Sequence, residues 1–493
     1  MVEHTSSFGR ISDAQQKGVE VRRDRHGLAL VPAPSSFRDD PLNWPTWLKF
    51  TVLLQASFLA MLGPFNSSVV NPALVPLAQL FKIPVGSASY QTTTVIVVVG
   101  VSPLFWTPLA NVYGRRPVYL CSTVIGILGT IGSAVAKSWG TLIFARVVSG
   151  LGVGAAMSLG AATVNDLFFL HERGTTMGVF TVFLTNGAHV APVIGGYLAQ
   201  AAGVRWCYWF PAIVNSAALV TMIFAFPETL FARSEEALSF HRERTYFQML
   251  FGFRKNALRG RRVHIRDIVR PFEMLRYPSV TLTCIYYIVS FAYASILPAV
   301  TVAILFTKTY HFKTGIIGLM LGLPLLLGSA LGEIFSGPFS DWFMYRYAKR
   351  HDGKRKPEAR LVAALGSLLL CPAGIIIYGV TLQHKTHWMG PVMGMAISSF
   401  GLQLVTTVSY AYCSDCYKPQ SAEMSTLYNF GRQIFAFPLG FYALPFANRI
   451  GIEWAWLTMA LITVLASVGI VVLMFRGERW RERLGQPQFH KDI

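Results

Sequence analysis

Long apolar stretches recur along the chain from one end to the other. Stretches such as ASYQTTTVIVVVGVSPLFW and CSTVIGILGTIGSAVA are close to the length of about 20 helical residues that crosses the ~30 Å hydrocarbon core of a bilayer. A backbone in hydrocarbon must satisfy its own hydrogen bonds, so each stretch is expected to be an α-helix. Of the 493 residues, 53% are hydrophobic and 14% are charged, a balance that favours a membrane protein over soluble domains.

Twelve apolar stretches of this kind predict twelve transmembrane helices. They lie at residues 48–70, 88–111, 118–136, 141–165, 175–199, 206–226, 280–305, 315–339, 360–381, 389–412, 422–446 and 453–475. An even number of spans places both chain ends on one side of the membrane. The segments on that side hold 34 of the Lys and Arg residues, whereas the loops on the other side hold seven. By the positive-inside rule, we expect both termini to be cytoplasmic.

The longest gap between spans divides them into two sets of six. We therefore predict a multi-pass, all-α membrane protein made of two six-helix pseudo-repeats. The chain begins with a polar segment that lacks an apolar core, so we expect no cleaved signal peptide. The predicted parts are a flexible cytoplasmic tail at 1–47, an N-terminal half at 48–226, a cytoplasmic central loop at 227–279, a C-terminal half at 280–475 and a cytoplasmic tail at 476–493.

A short sequence repeat supports the division into halves. TPLAN ends at Asn111, at the inner end of span 2, and GPFSD ends at Asp341, at the inner end of span 8. Both have Pro in second place and both precede a basic loop. Asn111 is predicted to cap the inner end of a neighbouring helix such as span 11 without the charge that Asp341 retains. Parallel repeats are typical of transporters, which bind substrate near the midplane between the halves.

Several function classes are disfavoured. The formal net charge is +19, but the basic residues lie in the gaps between spans, so we expect no nucleic-acid partner. Cys413 and Cys416 form a lone C-x-x-C, which predicts neither a disulfide framework nor a metal site without further ligands. The run GLGVGA lacks the Lys of a phosphate-binding loop, and the sequence shows no nucleophile–base pair. We therefore expect no cofactor and no enzymatic activity.

A cationic turn joins spans 2 and 3 in TPLANVYGRRPVYL. Gly114 can take the positive φ of a tight turn, and Arg115 and Arg116 keep the turn on the cytoplasmic side. We predict that these arginines pair with Asp166 or Glu172 and latch the cytoplasmic mouth, through pairs weak enough to break in every cycle. The alternative is a pure topology anchor.

Small residues are concentrated in spans 4 and 5. They let helices approach closely, and a proline frees a carbonyl at which a helix can bend. Plain helix packing and a role in conformational change both account for them, and the sequence leaves this choice open. The residues are Gly150, Gly152 and Gly154 in span 4 and Gly187, Pro192, Gly195 and Gly196 in span 5.

These segments resemble three motifs of the major facilitator superfamily, in the family's order. The cationic turn is similar to G-x-x-x-D-x-x-G-R-[RK], with Thr107 and Asn111 in place of Gly and Asp. ARVVSGLGVGA is similar to R-x-x-x-G-x-G-x-G, and NGAHVAPVIGG is similar to the antiporter motif G-x-x-x-G-P-x-x-G-G, with Ala191 in place of the inner glycine. DDPLNWPTWLKF and the basic loop after span 8 resemble the fungal branch of twelve-span drug:proton antiporters.

The resemblance implies the major facilitator fold and an activity. The implied activity is export of an organic solute, a drug or a secondary metabolite, in exchange for protons, so the proton gradient takes the place of a cofactor. We expect a monomer in the lipid bilayer of the plasma membrane, with a vacuolar or other internal membrane as the alternative. Arg146 matches the arginine that the family implicates in proton coupling.

Three ionisable residues within spans are candidates for proton coupling: Arg146, Glu333 and His189. An uncompensated charge in the middle of a bilayer costs at least ~2.5–3.5 kcal/mol, so such residues mark functional sites. A desolvated Glu333 would have a raised pKa suited to proton exchange. The alternatives are a structural Glu333 that is hydrogen-bonded to a neighbouring helix and a His189 that only packs.

Polar and aromatic residues within spans are candidates for lining a substrate cavity. Apolar walls with a few amides and phenols suit a mid-sized organic solute better than a strongly hydrated ion. Aromatic residues near span ends have an alternative role in the interfacial belt. The candidates are Asn66, Asn71, Gln91, Asn215, Tyr286, Tyr287, Tyr293, Gln403, Tyr410, Asn429 and Arg432.

Two other functions remain open. One is uptake or export of a nutrient or a polyamine, although a polyamine would favour more than one buried carboxylate and only Glu333 is clear. The other is a membrane sensor that binds a solute without moving it. A long cytoplasmic tail would support the sensor, and the predicted tail is short.

Overall fold

The computed structural model describes residues 34–169, 172–231, 233, 238–239, 243–251, 265–351, 356–417, 420–485 and 487. Within these ranges the regular structure is helical and contains no strand. Residues 1–33 of the predicted N-terminal tail, much of the predicted central loop and residues 488–493 of the C-terminal tail lie outside them. The all-α prediction is confirmed for the part of the chain that is described.

The first half contains six long helices, labelled α1 to α6 in chain order. Their bounds are Thr46–Phe81 for α1, Val85–Tyr113 for α2, Arg115–Val135 for α3, Trp139–Leu167 for α4, Arg173–Ala202 for α5 and Trp206–Ala225 for α6. Turns interrupt α1 after Ser68, and α2 is interrupted at Ser102. Proline follows closely in both helices, at Pro72 and Pro103, and removes a backbone donor there.

The second half repeats this order with helices α7 to α12. Their bounds are Pro278–Tyr310 for α7, Thr314–Arg350 for α8, Pro357–Gln383 for α9, Met389–Cys416 for α10, Ser421–Ala436 with Leu439–Ile450 for α11, and Ile452–Leu484 for α12. A π-helical segment lies within α7 at Ala292–Ile296, and α9 opens with 3₁₀ turns at Pro357–Ala364. We call the side of the bundle with the chain ends the terminal side, and the opposite side the far side.

The described residues contain eleven helices long and apolar enough to cross a membrane, one fewer than the twelve predicted spans. The difference lies at the predicted span 422–446, where α11 is broken before Pro438 into pieces of 16 and 12 residues. Neither piece alone reaches the ~20 residues that a crossing needs, but the two together do. The count of twelve is therefore consistent with a broken eleventh span.

Two helices continue well beyond their predicted spans on the terminal side. Helix α8 has 37 residues and continues to Arg350, and α12 has 33 residues and continues to Leu484. At about 1.5 Å per residue, α8 is roughly 55 Å long, so it extends beyond a ~30 Å hydrocarbon core. Its last turns, which are rich in charged residues, lie on the terminal side.

The N-terminal and central segments meet on the terminal side. Asp40 is buried and accepts hydrogen bonds from the backbone N–H groups of Ser35 and Leu42. Arg233, from the central segment, places Nη2 2.9 Å from Asp40 Oδ1. These contacts hold the pKa of Asp40 below its usual value against the opposing effect of burial. The segment around Asp40 is therefore held to the central segment.

Candidate ligand cavity and its surroundings

A cleft of about 790 Å³ lies between the two halves, and this volume includes space that is open to solvent. Both halves supply its walls, which combine apolar groups with hydroxyls, amides and one guanidinium. Helices α1, α2, α4 and α5 line it on one side, and α7, α8, α10 and α11 line it on the other. Lining residues that represent these walls are Ser67, Ile96, Leu184, Tyr287, Gln403 and Arg432.

Arg432 is held in place at the cavity wall. Its Nε and Nη2 donate to Asn429 Oδ1 at 3.1 and 3.0 Å, and Nη1 donates to Tyr287 Oη at 2.8 Å. The guanidinium carbon lies 4.7 Å from the centre of the Phe291 ring, in cation–π geometry. Tyr410 packs edge-on against Tyr287, with their ring centres 5.8 Å apart. The cluster fixes a positive charge at the cavity surface.

Three of the predicted cavity residues, Tyr287, Gln403 and Arg432, line this cleft, and so does His189. Asn429 and Tyr410 lie behind them and contact Arg432 and Tyr287.

The other predicted cavity residues lie between helices, away from the cleft walls. Asn66 donates to Thr130 and Ser149, Gln91 and Asn71 share the Thr92 hydroxyl, and Asn215 donates to the Pro211 carbonyl one turn earlier. Tyr286 and Tyr293 contact Ser367 and Tyr442. Amides and phenols inside spans thus serve helix packing as well as a cavity, and sequence pattern alone does not separate the two uses.

The proton-coupling candidates lie in three separate places. Arg146 of α4 is fully buried, donates from Nη2 to the Asn66 carbonyl at 2.9 Å and lies over the Tyr208 ring. Its Nε and Nη1 have no hydrogen-bond partner in the described structure. His189 Nδ1 lies 3.2 Å from Ser329 Oγ, on the facing helix of the other half.

Glu333 of α8 faces α10. Its carboxylate accepts hydrogen bonds from Gln403 Nε2 and, at 3.3 Å, from Thr407 Oγ1. Gln403 is also part of the cleft wall. A single amide therefore connects the carboxylate to the cavity.

Contacts between the halves close the far side. Gly315 N–H, at the start of α8, donates to Gln200 Oε1 near the end of α5, at 3.0 Å. Ser89 Oγ of α2 donates to the Gly440 carbonyl of α11 at 3.0 Å. The rings of Tyr90 and Phe441 stack at the same place, with their centres 4.3 Å apart. These pairs hold the two halves together on the far side of the cleft.

The predicted small residues of span 5 divide between two neighbours. Gly187 and Gly195 lie against carbonyls of α1, and Gly196 lies against the start of α8. The Pro192 carbonyl faces Gly318 so closely that a Cβ on Gly318 would collide with it. In span 4, Gly150 and Gly154 face α2, and Gly152 faces α3. These seven residues thus permit close packing within the first half and across the closed far side.

A hydrogen-bonded network on the terminal side joins α2, α3 and α4. Gly114 has φ +110°, which favours glycine and allows the turn that the sequence predicts. Arg115 Nε donates to Asp166 Oδ2 at 3.2 Å, and its Nη1 donates to Asn111 Oδ1. The Arg115–Asp166 pair agrees with one of the two predicted pairings. Glu172 instead accepts from the Phe169 backbone N–H.

Two expectations about this turn need correction. The Asn111 side chain binds Arg115 of its own half, so it does not act as the predicted cap of span 11. Arg116 donates to the Ile223 carbonyl of α6 and makes no pair with Asp166 or Glu172. Both contacts lie within the first half, so in this conformation they tie its helices together instead of bridging the mouth.

Glu228 completes the network and was missed by the sequence analysis. It follows α6 and accepts the backbone N–H groups of Arg115 and Arg116 at 2.8 and 3.2 Å, at the start of α3. The first N–H groups of a helix lack intrahelical partners, so a carboxylate there satisfies them. Burial raises the pKa of Glu228 above its usual value. The sequence signal that could have identified Glu228 is a carboxylate directly after predicted span 6.

The second half has a matching network. Arg360 Nη1 donates to Asp341 Oδ1 at 2.6 Å, and its Nε donates to Asp415 Oδ2 at 2.6 Å. Asp341 lies on α8, Arg360 at the start of α9 and Asp415 at the end of α10. These helices correspond in order to α2, α3 and α4, as the repeat at Asn111 and Asp341 predicts. The sequence analysis did not identify Arg360 or Asp415.

Comparison with known families places this arrangement among transporters. A sequence model described as Major Facilitator Superfamily matches residues 56–441. An uncharacterized transporter of Schizosaccharomyces pombe is 27% identical, with 96% of this chain and 97% of the relative covered. The efflux pump radE of Floropilus chiversii is 29% identical, with 91% and 84% covered, and the MFS transporter cpaT of Aspergillus oryzae is 29% identical, with 90% and 89% covered.

Solved structures show the same fold at low sequence identity. The POT family transporter PepTSo aligns with a TM-score of 0.62 at 12% identity, covering 90% of this chain and 100% of that one. The xylose transporter XylE from E. coli, in a partially occluded inward open conformation, aligns with a TM-score of 0.60 at 13% identity, covering 87% and 97%. At these identities the likeness extends to the fold alone.

Proposed function

This chain belongs to the Major Facilitator Superfamily, and we propose that it is a secondary active transporter that exports a mid-sized organic solute in exchange for protons. The observation that carries the proposal is a cavity built from both halves and closed on the far side by contacts between them. Alternating access requires this arrangement, because the solute must bind between two bodies that open on one side at a time.

The direction and the location of transport are part of the proposal. The basic residues of the terminal side support a cytoplasmic position for both termini, and so the cavity would load from the cytoplasm. The relative named as an efflux pump supports export of a drug or secondary metabolite. We place the protein in the plasma membrane, as a monomer that needs no cofactor and catalyses no covalent reaction.

Glu333 is the proposed proton carrier. Its carboxylate lies within α8 and accepts from Gln403, whose side chain also lines the cavity. Gln403 and Thr407 both donate to Glu333 Oε2, so a proton taken up on that oxygen would compete with the amide that also lines the cavity. Protonation and solute binding would thus compete through one residue. Arg146 and His189 remain candidates for proton coupling, since each is a buried ionisable group at a helix contact.

Reconstitution of the purified full-length protein into liposomes tests this function. A pH gradient should drive solute accumulation in wild-type vesicles and move protons in the opposite direction. Glu333→Gln should abolish gradient-driven accumulation but retain exchange of labelled for unlabelled solute, because exchange needs no net proton movement. Glu453→Gln is the matched control, since Glu453 pairs with the exposed His384 at the far-side start of α12, outside the cleft.

The outcomes separate the remaining functions. Equal gradient-driven flux in wild type and Glu333→Gln would remove Glu333 from the proton path. Solute flux without proton movement would indicate a facilitator, and binding without flux would indicate a sensor. Polyamine transport is disfavoured because the described cavity wall carries a guanidinium and no carboxylate.

A further inference from the structure

We propose that the transported solute is an organic anion, and that Arg432 binds its carboxylate or an equivalent anionic group. The proposal rests on the proposed function and narrows it to one chemical class. It follows from the charge of the cavity wall and from the way in which Arg432 is held.

The cavity wall in the described structure carries charge of one sign. Its lining includes the Arg432 guanidinium and no Asp or Glu side chain. The Glu333 carboxylate is not part of the lining and accepts hydrogen bonds from Gln403 and Thr407. A full positive charge within a membrane span is expensive unless it is paired, and the groups that contact Arg432 are neutral. An anion in the cavity would supply the missing charge.

The hydrogen bonds of Arg432 leave part of its donor set available. A guanidinium has five N–H groups, and three are used on Asn429 and Tyr287. One N–H remains on each terminal nitrogen. Two N–H groups on one guanidinium can bind the two oxygens of a carboxylate together, which adds geometric specificity to charge attraction. The bonds to Asn429 and Tyr287 limit rotation of the guanidinium, so little further ordering is needed on binding.

The other residues of the cavity wall indicate the polarity of the rest of the solute. Phe291 stacks on the Arg432 guanidinium, and Tyr287 lies at its edge. Across the cleft lie the apolar side chains of Ile96, Met157 and Leu184. An aromatic or similarly apolar body with one anionic end matches this wall, because the body can pack on the apolar side while its charge meets Arg432.

A charge series on one body tests the proposal with the wild-type protein itself. The probes are 2-naphthylacetate, its neutral primary amide and the cationic 2-(2-naphthyl)ethylamine, bound to full-length protein in lipid nanodiscs. We expect the carboxylate to bind at least about 10-fold more tightly than the amide, the amount expected for hydrogen bonds to a charged group, and the amine to bind most weakly. Equal affinity for carboxylate and amide, tighter binding of the amine, or no binding of the carboxylate at millimolar concentration would overturn the proposal.

Variants of Arg432 test whether this side chain causes the preference for the carboxylate probe. Arg432→Gln should remove the advantage of the carboxylate and leave the affinity for the amide within about threefold, whereas Arg432→Lys should keep part of the advantage. Arg449→Gln is the matched control, since Arg449 is exposed at the far-side end of the same α11 helix. A full carboxylate preference in Arg432→Gln would contradict the assignment. If Arg432→Gln does not fold, the wild-type series and Arg432→Lys still decide the question.

Transport and binding are measured separately so that the two proposals can fail independently. Wild-type protein that prefers the carboxylate in binding but moves none of the probes across liposomes would refute transport and keep the anion site. Wild-type protein that exchanges amide and carboxylate equally well, with equal affinities, would keep transport and refute the anion site.

Discussion

The two arginine-centred networks on the terminal side have the same plan but differ in charge and exposure. In the first half, Arg115 binds the Asn111 amide and the Asp166 carboxylate. In the second half, Arg360 binds two carboxylates, Asp341 and Asp415. The side chains of Arg115 and Asp166 are 8% and 19% exposed, whereas Asp341 is 69% and Asp415 32% exposed.

The difference in charge and exposure indicates why two networks of the same geometry differ in strength. An ion pair in water contributes about 0–1 kcal/mol, and shielding from water strengthens it. One carboxylate and an amide therefore hold the more buried Arg115, whereas Arg360 binds the exposed Asp341 and the half-buried Asp415, which water screens more strongly. We infer that the first network holds its three helices together throughout the transport cycle, and that the second is the easier one to break.

The largest effect is expected from removing the carboxylate at the end of α4. Asp166→Asn leaves the nearly buried Arg115 guanidinium without its charge partner, so the free energy of unfolding should fall by about 1–3 kcal/mol. Asp415→Asn, at the corresponding place on α10, should lower it by less than about 1 kcal/mol, because Asp341 still binds Arg360. The measurement is the melting temperature of each purified variant in one detergent at one scan rate.

Equal losses in the two variants would contradict this ranking. Equal losses would mean that the exposure of the side chains does not determine how strongly each network holds its helices. The inference that the first network is permanent and the second one breaks would then be wrong.

Glu228 gives the first network a pH dependence of intermediate size. Because burial raises its pKa above the usual value, the folded protein holds this proton more tightly than the unfolded chain does. The stability from this group is present at low pH and is lost as the pH rises through the folded pKa. The free energy of unfolding of Glu228→Gln relative to wild type should therefore increase as the pH is raised from about 4.5, by less than about 1.4 kcal/mol per pH unit, and the melting temperature of the variant relative to wild type should rise with it.

Glu478 provides the comparison in the second half. It lies near the end of α12 and forms a largely exposed pair with Lys356, at 2.7 Å. Glu478→Gln should change the melting temperature little at any pH, since exposed pairs contribute little. A Glu228→Gln curve parallel to that of the wild type would show that the carboxylate is not the source of the pH dependence.

The sequence predicted the fold well because membrane spans leave a strong signal. Apolar length located the twelve segments, although a break before Pro438 divides α11 into two short pieces and α8 and α12 continue beyond their predicted spans. The match between Asn111 and Asp341 correctly placed α2 opposite α8 in the repeat. The pairing of Arg115 with Asp166 was also among those predicted, because both had to lie at the same end of neighbouring helices.

The cavity was harder to predict, for a physical reason. Residues such as Asn66 and Asn215 are polar and lie within spans, but their partners are helix carbonyls and hydroxyls and not a ligand. Sequence periodicity does not say which face of a buried helix meets the cavity when both faces are apolar. Glu228 lies outside the predicted spans and Arg360 lies at the end of one. Charged residues are expected at such positions simply because they set the topology.

The smallest effect is expected from exchanging the amide and the carboxylate between the networks. Asn111→Asp puts a second carboxylate on Arg115 at a site that already offers it an oxygen, so transport should be unchanged or nearly so. Asp341→Asn removes a single exposed charge while Asp415 remains, a change of about 0–1 kcal/mol. Initial flux should therefore slow measurably, by up to about fivefold.

The effect of these substitutions is measured as initial flux per reconstituted molecule, for each single variant and for the double variant. The double variant should transport like Asp341→Asn alone, because the two networks lie in different halves and share no described contact. If Asp341→Asn transports like the wild type per reconstituted molecule, the second network is not a latch, and the basic loops then act only as topology anchors. If Asn111→Asp is the slower of the two single variants, the first network is the one that breaks, and the order inferred from exposure is reversed.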